Sequence, residues 1–319
     1  MKKMISLCLS LVMIFSLTAP AVAVENSVYS EAADNSIVFE DMVSKSEYQM
    51  AVEETLRLEA VAEADGLSEA GSKAQTKMPL EEYKEAFDVR AEMDADTLSG
   101  MGYSEAEIEV LQKYNSGECS FEEAATRASA VLTPNLTCPT HTEEKYVVKY
   151  SWEWDKTPVG LGEDGFAMGL YGIDDESEGF VTKLNSSVVA VTYCYTDNTH
   201  YHIEYPDKDV SSNTVSAKFD SYKLSDTGDR WVWAKKGYIT MTVSPAVSGN
   251  KTFAAVRAAG EYGHSSKSSA QIDISVSVDV FTGDITTTFS IAPSASGTVT
   301  PYGKKQILFY NDGTKYVEA

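Results

Sequence analysis

The chain has 319 residues, a formal net charge of −22 and 43% hydrophobic residues. That is long enough for a sizeable buried core. So acidic a chain repels nucleic acid and anionic lipid at long range, which excludes both as electrostatically steered partners. The acidity is uneven: 25 acidic against 8 basic residues lie between Val24 and Leu132.

The N-terminus reads as a targeting segment. Lys2 and Lys3 precede an apolar run from Met4 to Leu17, and Ala21-Val22-Ala23 supplies a small-x-small cleavage pattern. The run is shorter than the ~20 apolar residues that span a bilayer, so residues 1–23 are expected to be a cleaved signal peptide. No other long apolar stretch follows. The expected product is a secreted, extracellular protein with no stable membrane anchor. Three cysteines would remain: Cys119, Cys138 and Cys194. In an oxidising compartment an odd number implies one pair and one leftover. Cys119 with Cys138 is the expected disulfide, because the residues after the intervening helix are long enough to lead back to its start.

Residues 24–132 form an acidic helical region. Met42, Met50, Leu56 and Val61 sit among glutamates and alanines, which is helix composition. Residues 65–78 carry two glycines and few bulky apolar side chains, and read as a linker. Pro79 stands where a helix begins, with Tyr83, Ala86, Phe87 and Arg90 following at helical spacing. Ser104 with Glu107, and Ser120 with Glu123, fit capping boxes and predict helices over 105–114 and 121–131. Leu98-x-x-Met101-Gly102-Tyr103, with Ile108, Leu111 and Phe121-Glu122-Glu123-Ala124, resembles a ubiquitin-associated-type three-helix module. The resemblance covers about 45 residues. It implies a Met-Gly-aromatic turn after the module's first helix and carries no function to an exported chain. The acidic region is expected to be either a pro-segment or a separate interaction domain.

Pro134 and Pro139 stop helix without starting strand, so 133–142 is expected to be an interdomain linker. From Tyr146 the period is two. Tyr146, Val148, Tyr150, Trp152 and Trp154 alternate with mostly polar neighbours. Five glycines interrupt 159–172. Strands are expected at 188–195 and 199–205, flanking a two-residue turn at Asp197-Asn198. Further strands are expected at 216–224, 230–233, 238–243 and 252–259, then as the pair 272–280 and 285–291, with a last hairpin at Asp312-Gly313. The fold class is α+β: an acidic helical N-terminal region followed by an antiparallel β-sandwich over 143–319.

Three constellations carry chemistry. Trp152 with Trp154, and Trp231 with Trp233, form two W-x-W pairs; with Tyr193 and Tyr195 they are the candidate ligand-binding aromatics, because flat exposed rings stack on sugar faces. Their alternative role is core filling. His200-x-His202-x-Glu204 places nitrogen and oxygen ligands on one strand face, with Tyr193 and Tyr195 opposite, and is the candidate site for a divalent metal. Ser/Thr-rich alternation over 265–300 resembles the insertion hairpins of β-pore-forming toxins. Other signals are weaker in kind. Gly160-x-Gly162-x-x-Gly165 spells a dinucleotide fingerprint but has no helix after it. Asp174–Glu178 offers carboxylates to calcium without EF-hand spacing. His264 and Ser265 are adjacent on a strand and face apart. The leading expectation is a non-catalytic binding or interaction protein with a glycan or cell-envelope partner. The runner-up is a metal-dependent extracellular enzyme centred on His200, His202 and Glu204, and the third is a β-pore-forming protein.

Overall fold

The alternating run at Tyr146 forms strand β4 (Tyr146–Trp154), and all five of its large alternate side chains are buried. They fill one side of the space between two antiparallel sheets. The computed structural model describes residues 37–38, 43–64, 79–160, 162–246, 251–267, 270–293, 295–303 and 306–317. The expected signal peptide and the expected linker at 65–78 lie outside these residues.

The first sheet runs β1 (Ile37–Val38), β3 (Val131–His141), β4, β12 (Trp231–Pro245), β7 (Thr182–Tyr195), β8 (His200–Glu204), with β2 (Lys45–Ser46) on β3 and β11 (Tyr222–Leu224) on β12. The second runs β18 (Lys315–Val317), β17 (Gln306–Tyr310), β13 (Ala255–Ser265), β5 (Glu163–Ile173), β10 (Thr214–Asp220), β9 (Lys208–Val210), with β16 (Val299–Tyr302) on β13 and β6 (Gly179–Phe180) on β5. A separate two-stranded sheet joins β14 (Ile272–Val278) to β15 (Ile285–Ile291). The expected α+β sandwich is therefore the observed architecture.

Among the described residues five helices precede the long strands: α1 (Glu47–Ala64), α2 (Pro79–Ala91), α3 (Ala95–Gly100), α4 (Glu105–Asn115) and α5 (Phe121–Ala128). Pro79 opens α2, where its missing N–H costs nothing. The Ser104–Glu107 capping box closes as expected. At Ser120 only half forms: its hydroxyl accepts from the Glu123 amide, while the Glu123 carboxylate lies near Arg127 at 3.7 Å. Gly102 takes a φ of +93° in the turn between α3 and α4, flanked by buried Met101 and Tyr103. Phe87, Leu98, Leu111 and Phe121 help build a helical core distinct from the sandwich core.

Several expectations are corrected. Residues 133–142 are no linker: Val131–His141 is β3, paired with β4 on one side. A register shift between Thr137 and Thr140 absorbs Pro139. Residues 35–319 form one compact unit, so helices and sandwich are not parted there. The strand also removes the expected disulfide. Cys119 sits half-buried at the helical core, with its thiol donating to the Val110 carbonyl at 3.7 Å. Cys138 is carried along β3 into the sandwich core, and its thiol meets the Thr140 carbonyl at 3.3 Å. Burial pushes that thiol up to about 12. Cys119, Cys138 and Cys194 are all free. The glycine-interrupted run 159–172 is largely β5, a central strand of the second sheet.

The W-x-W pairs divide. Trp152, Trp154 and Trp233 are fully buried, as is Tyr193; these four are corrected from candidate ligand-binding rings to core. Trp152 lies parallel to Phe219 at 5.3 Å and against Tyr262 at 4.8 Å. Replacing Trp152 with Ala is expected to lower unfolding free energy by about 3–5 kcal/mol, read from urea denaturation. A loss below about 1 kcal/mol would put this ring outside the core.

Candidate functional site

Two groups of chemistry-bearing residues come together in the folded chain. The first is buried. Glu47 opens α1, Asp164 lies near the start of β5, and His264 lies near the end of β13. His264 Nδ1 is 3.0 Å from Asp164 Oδ2, and its Nε2 is 3.0 Å from Glu47 Oε1. None of the three side chains is more than 5% exposed. Asp164 also accepts from Tyr262 Oη at 2.5 Å and from the Ser265 amide at 2.8 Å. Glu47 accepts from the amides of Val159 at 2.9 Å and Gly160 at 2.8 Å. The bare Gly160 is required there, because a Cβ would stand 2.7 Å from His264 Nε2.

Burial disfavours the charged imidazole, but the charge and hydrogen bond of Asp164, then those of Glu47, outweigh it. His264 is raised from 6.5 to about 10. It is an imidazolium at neutral pH, with both ring N–H groups donating to carboxylates. Its lone pairs are committed, so it cannot act as a base. The Ser265 hydroxyl points to Asp164 at 3.4 Å and not to the ring, so no nucleophile–base pair forms. The adjoining cavity, lined by Glu47, Tyr83, Val159 and His264, is about 20 Å³, room for roughly one water. This is a clamp between α1 and the sandwich. Other buried polar residues act beside it. Arg90 of α2 donates to the Thr157 carbonyl at 3.0 Å and the Pro158 carbonyl at 2.8 Å. Glu82 accepts from Thr298 Oγ1 at 2.7 Å and pairs with Lys267 at 3.0 Å. Lys156 joins Glu107 of α4 at 2.6 Å. These contacts attach the helices to the sandwich.

Sequence reasoning missed Glu47 and Asp164. The contact from Glu47 to His264 spans 217 positions, and no local pattern encodes it.

The second group lies at one end of the first sheet. Tyr195 and Thr199 close a turn through Asp197-Asn198, with Asn198 at a φ of +62°. The turn has three residues, not the expected two, and brings a bulge between Tyr193 and Cys194. The register moves accordingly. His202 pairs with Tyr193, but His200 pairs with Cys194 and not Tyr195. The expected row of ligands is broken. His200 is exposed, while His202, Glu204 and Asp226 gather with one potential ligand atom each within 4.8 Å of one another. His202 Nε2 is 2.6 Å from Glu204 Oε1, and its ring stacks on Tyr193 at 5.8 Å. The Lys223 ammonium also contacts Glu204 and stands over the Tyr193 ring at 4.5 Å. Lys223 and His202 both meet Glu204 Oε1, and the Lys223 charge opposes a divalent ion beside it.

Trp231, at the start of β12, is 48% exposed and lies parallel to Tyr222, 4.8 Å between centroids and 5° between planes. Directly opposed residues share a face. By the β11–β12 register Trp231, Trp233 and Tyr222 lie on one face, and Lys223 and Val232 on the other. Tyr195 is half-buried, with the Arg230 guanidinium 3.7 Å over its ring; Arg230 pairs with Asp197 at 2.7 Å. The register sets Tyr195 opposite Val232, so Tyr195 and the Arg230 over it lie on the other face; the expected aromatic surface survives as Trp231, supported by Tyr222.

The remaining motifs resolve as structure. Gly165 sits inside β5, and a Cβ there would meet Ile274 and Ile272; the dinucleotide spelling is strand packing. Lys251 bridges Asp174 at 2.8 Å and Glu178 at 3.1 Å, holding the acidic turn considered for calcium.

No protein-family model and no curated protein matches the chain. Among solved structures it is similar to the collagen-binding subdomain of the Enterococcus faecalis surface protein ACE, at 12% identity and a TM-score of 0.24, covering 48% of this chain and 88% of that one. It is similar to the Clostridium perfringens NetB toxin in its membrane-inserted form, at 9% and 0.21, covering 60% and 94%. It is also similar to AvmM, which catalyzes macrocyclization in alchivemycin A biosynthesis, at 6% and 0.22, covering 54% and 89%. At these identities and TM-scores the likenesses carry no argument about function. Among the described residues no helix is long and apolar enough to cross a membrane.

The clamp has a pH signature. The folded value of His264, about 10, lies above the 6.5 of an unfolded chain. Its contribution is therefore complete below about pH 6.5 and is lost as pH rises through about 10. The denaturation midpoint should fall between about pH 7 and pH 10 more steeply in the native chain than in His264→Gln. That variant, with two buried carboxylates left facing each other, should also lose about 3–5 kcal/mol near neutrality. Parallel pH profiles would contradict the assignment.

Proposed function

We propose that the chain is a secreted, non-catalytic binding protein directed at glycans or a cell-envelope component, and that its contact surface is centred on Trp231 and Tyr222. The observation that carries this reading is the exposed Trp231 ring held parallel to Tyr222 within a paired β11–β12 ribbon. Such a pre-ordered ring binds a flat sugar face with little loss of side-chain freedom. The closed state of the His264 clamp supports a non-catalytic role, since its ring has no free nitrogen and its cavity admits no substrate.

A second reading rests on the gathered His202, Glu204 and Asp226. It is a divalent-metal site whose ligand set replaces the expected His200 with Asp226. Metal titration by calorimetry separates the two: uptake of zinc that disappears in Glu204→Gln supports the metal reading, and no heat above background removes it.

For the leading reading, a glycan array probed with native protein and with Trp231→Ala is the direct test. The substitution lies on an exposed ring and should leave thermal stability nearly unchanged. Any glycan signal should drop at least about tenfold, the loss expected when one stacked ring worth over about 1.4 kcal/mol is removed. Undiminished binding by Trp231→Ala would move the contact surface elsewhere.

A further inference from the structure

The β14–β15 hairpin stands apart from both large sheets. Its strands pair only with each other, from Gln271 with Ala292 to Asp279 with Asp284. That is nine positions on each side, ~30 Å of ladder at ~3.3 Å per residue. A transmembrane strand needs about 9–11 residues.

The two faces of the ladder differ sharply. Ile272 opposes Ile291, Ile274 opposes Phe289, and Val278 opposes Ile285, with Val276 and Thr287 between them. Those residues are buried or half-buried. The other face pairs Ser275 with Thr288 and Ser277 with Thr286, all exposed. From Ile274 to Val278 and from Ile285 to Ile291 there is no charged residue. The charges lie at the two ends: Asp273 near the base, Asp279 and Asp284 beside the tip.

The seat under the hairpin is unusual. It is the outer side of β5 and β13, and it is paved with glycine. A Cβ on Gly165 would meet Ile272 and Ile274, one on Gly169 would meet Ile285 and Val278, and one on Gly263 would meet Phe289. The large apolar side chains belong to the hairpin and not to its seat. Lifting the hairpin would break no ladder to either sheet. Side chains hold it instead. Tyr171 donates to the Val280 carbonyl at 2.7 Å and Arg257 donates to the Thr282 carbonyl. At the base, Lys218 donates to the Ile272 carbonyl at 2.8 Å and Glu163 accepts from the Ile272 amide at 2.7 Å. The tip itself is fixed: Asp279 accepts from the amides of Phe281 and Thr282 at 2.8 and 2.9 Å. It presents Val280 and Phe281 to solvent at 53% and 93% exposure.

We propose that β14–β15 is a releasable bilayer-spanning hairpin. It leaves the glycine seat tip first, turns its apolar face to the hydrocarbon and its Ser/Thr face to water, and closes into a barrel with hairpins from other copies of the chain. Closure is required because a lone hairpin would leave two unpaired edges in lipid. The charge-free middle of the ladder, Ile274–Val278 against Ile285–Phe289, would lie in the hydrocarbon, with Asp273, Asp279 and Asp284 toward its two surfaces. A net charge of −22 makes a zwitterionic membrane the compatible surface.

The test is a reversible lock. A Cβ at Gly165 would face the Ile274 side chain, 2.5 Å from its Cδ1, so in Gly165→Cys/Ile274→Cys a disulfide, verified by loss of both free thiols, would pin the hairpin to its seat. Native protein and the reduced variant should release a self-quenching dye from phosphatidylcholine vesicles. The oxidised variant should release it at least tenfold more slowly, and dithiothreitol should restore release. Far-ultraviolet spectra of both forms confirm that the lock leaves the fold intact. Release that is equal with the lock open and closed overturns the proposal, and so does the absence of release by native protein. Either result leaves the Trp231 reading untouched, since that surface lies on the other sheet.

Discussion

One protonated imidazole between two carboxylates holds this molecule together. Glu47, His264 and Asp164 are nearly or fully buried, and each would be costly there alone. Placed together, with backbone amides from Val159, Gly160 and Ser265 completing the carboxylates' shells, they become a permitted interior. The arrangement ties the first residue of α1 to both β5 and β13. It thereby fixes where the helical layer begins, and Glu82, Arg90 and Lys156 extend that attachment along the sheet ends. Composition alone would let residues 24–132 pass as a detachable acidic segment. The buried contacts make helices α1 to α5 part of the same unit as the sandwich.

The same interior decides what the surface can do. Trp152, Trp154, Phe166, Phe219 and Tyr262 interlock between the sheets, and Trp233 is buried as well, which removes most of the large rings from any ligand surface. What remains outside is small and ordered. Trp231 and Tyr222 lie in register on one face of the β11–β12 ribbon, and the imidazole–carboxylate group of His202 lies on the face shared with Lys223. A sheet end with different chemistry on its two faces suits recognition. The buried clamp, with every polar atom of the imidazole engaged, suits rigidity.

Periodicity made much of the fold legible, and long-range packing hid the rest. The alternation at Tyr146–Trp154 identified a core strand, and Ser104 with Glu107 marked a helix start, because both signals act within a few residues. Pro134 and Pro139 read as a linker, yet β3 accepts them through a shifted register beside β4. The glycines from Gly160 to Gly172 read as interruptions. Three of their positions are bare because residues about a hundred places later need the space: His264 at Gly160, Ile274 at Gly165, Ile285 at Gly169. The W-x-W pairs were correctly placed on strands, but alternation gives a shared face without saying whether another sheet covers it. His200 left the metal row because Asn198 adopts a left-handed backbone, and one added turn residue shifts the pairing beyond it. Glu47 and Asp164 had no local signature at all.

The central claim is that helices and sandwich form one cooperative structure through the buried ion clamp. Native-state amide hydrogen exchange tests it directly. The account predicts that the amides of α4, which belong to the helical core and not to either sheet, open with the same free energy as those of β4. Exchange of α4 at a free energy several kcal/mol below that of β4 would show a helical layer that opens by itself, and would contradict the account.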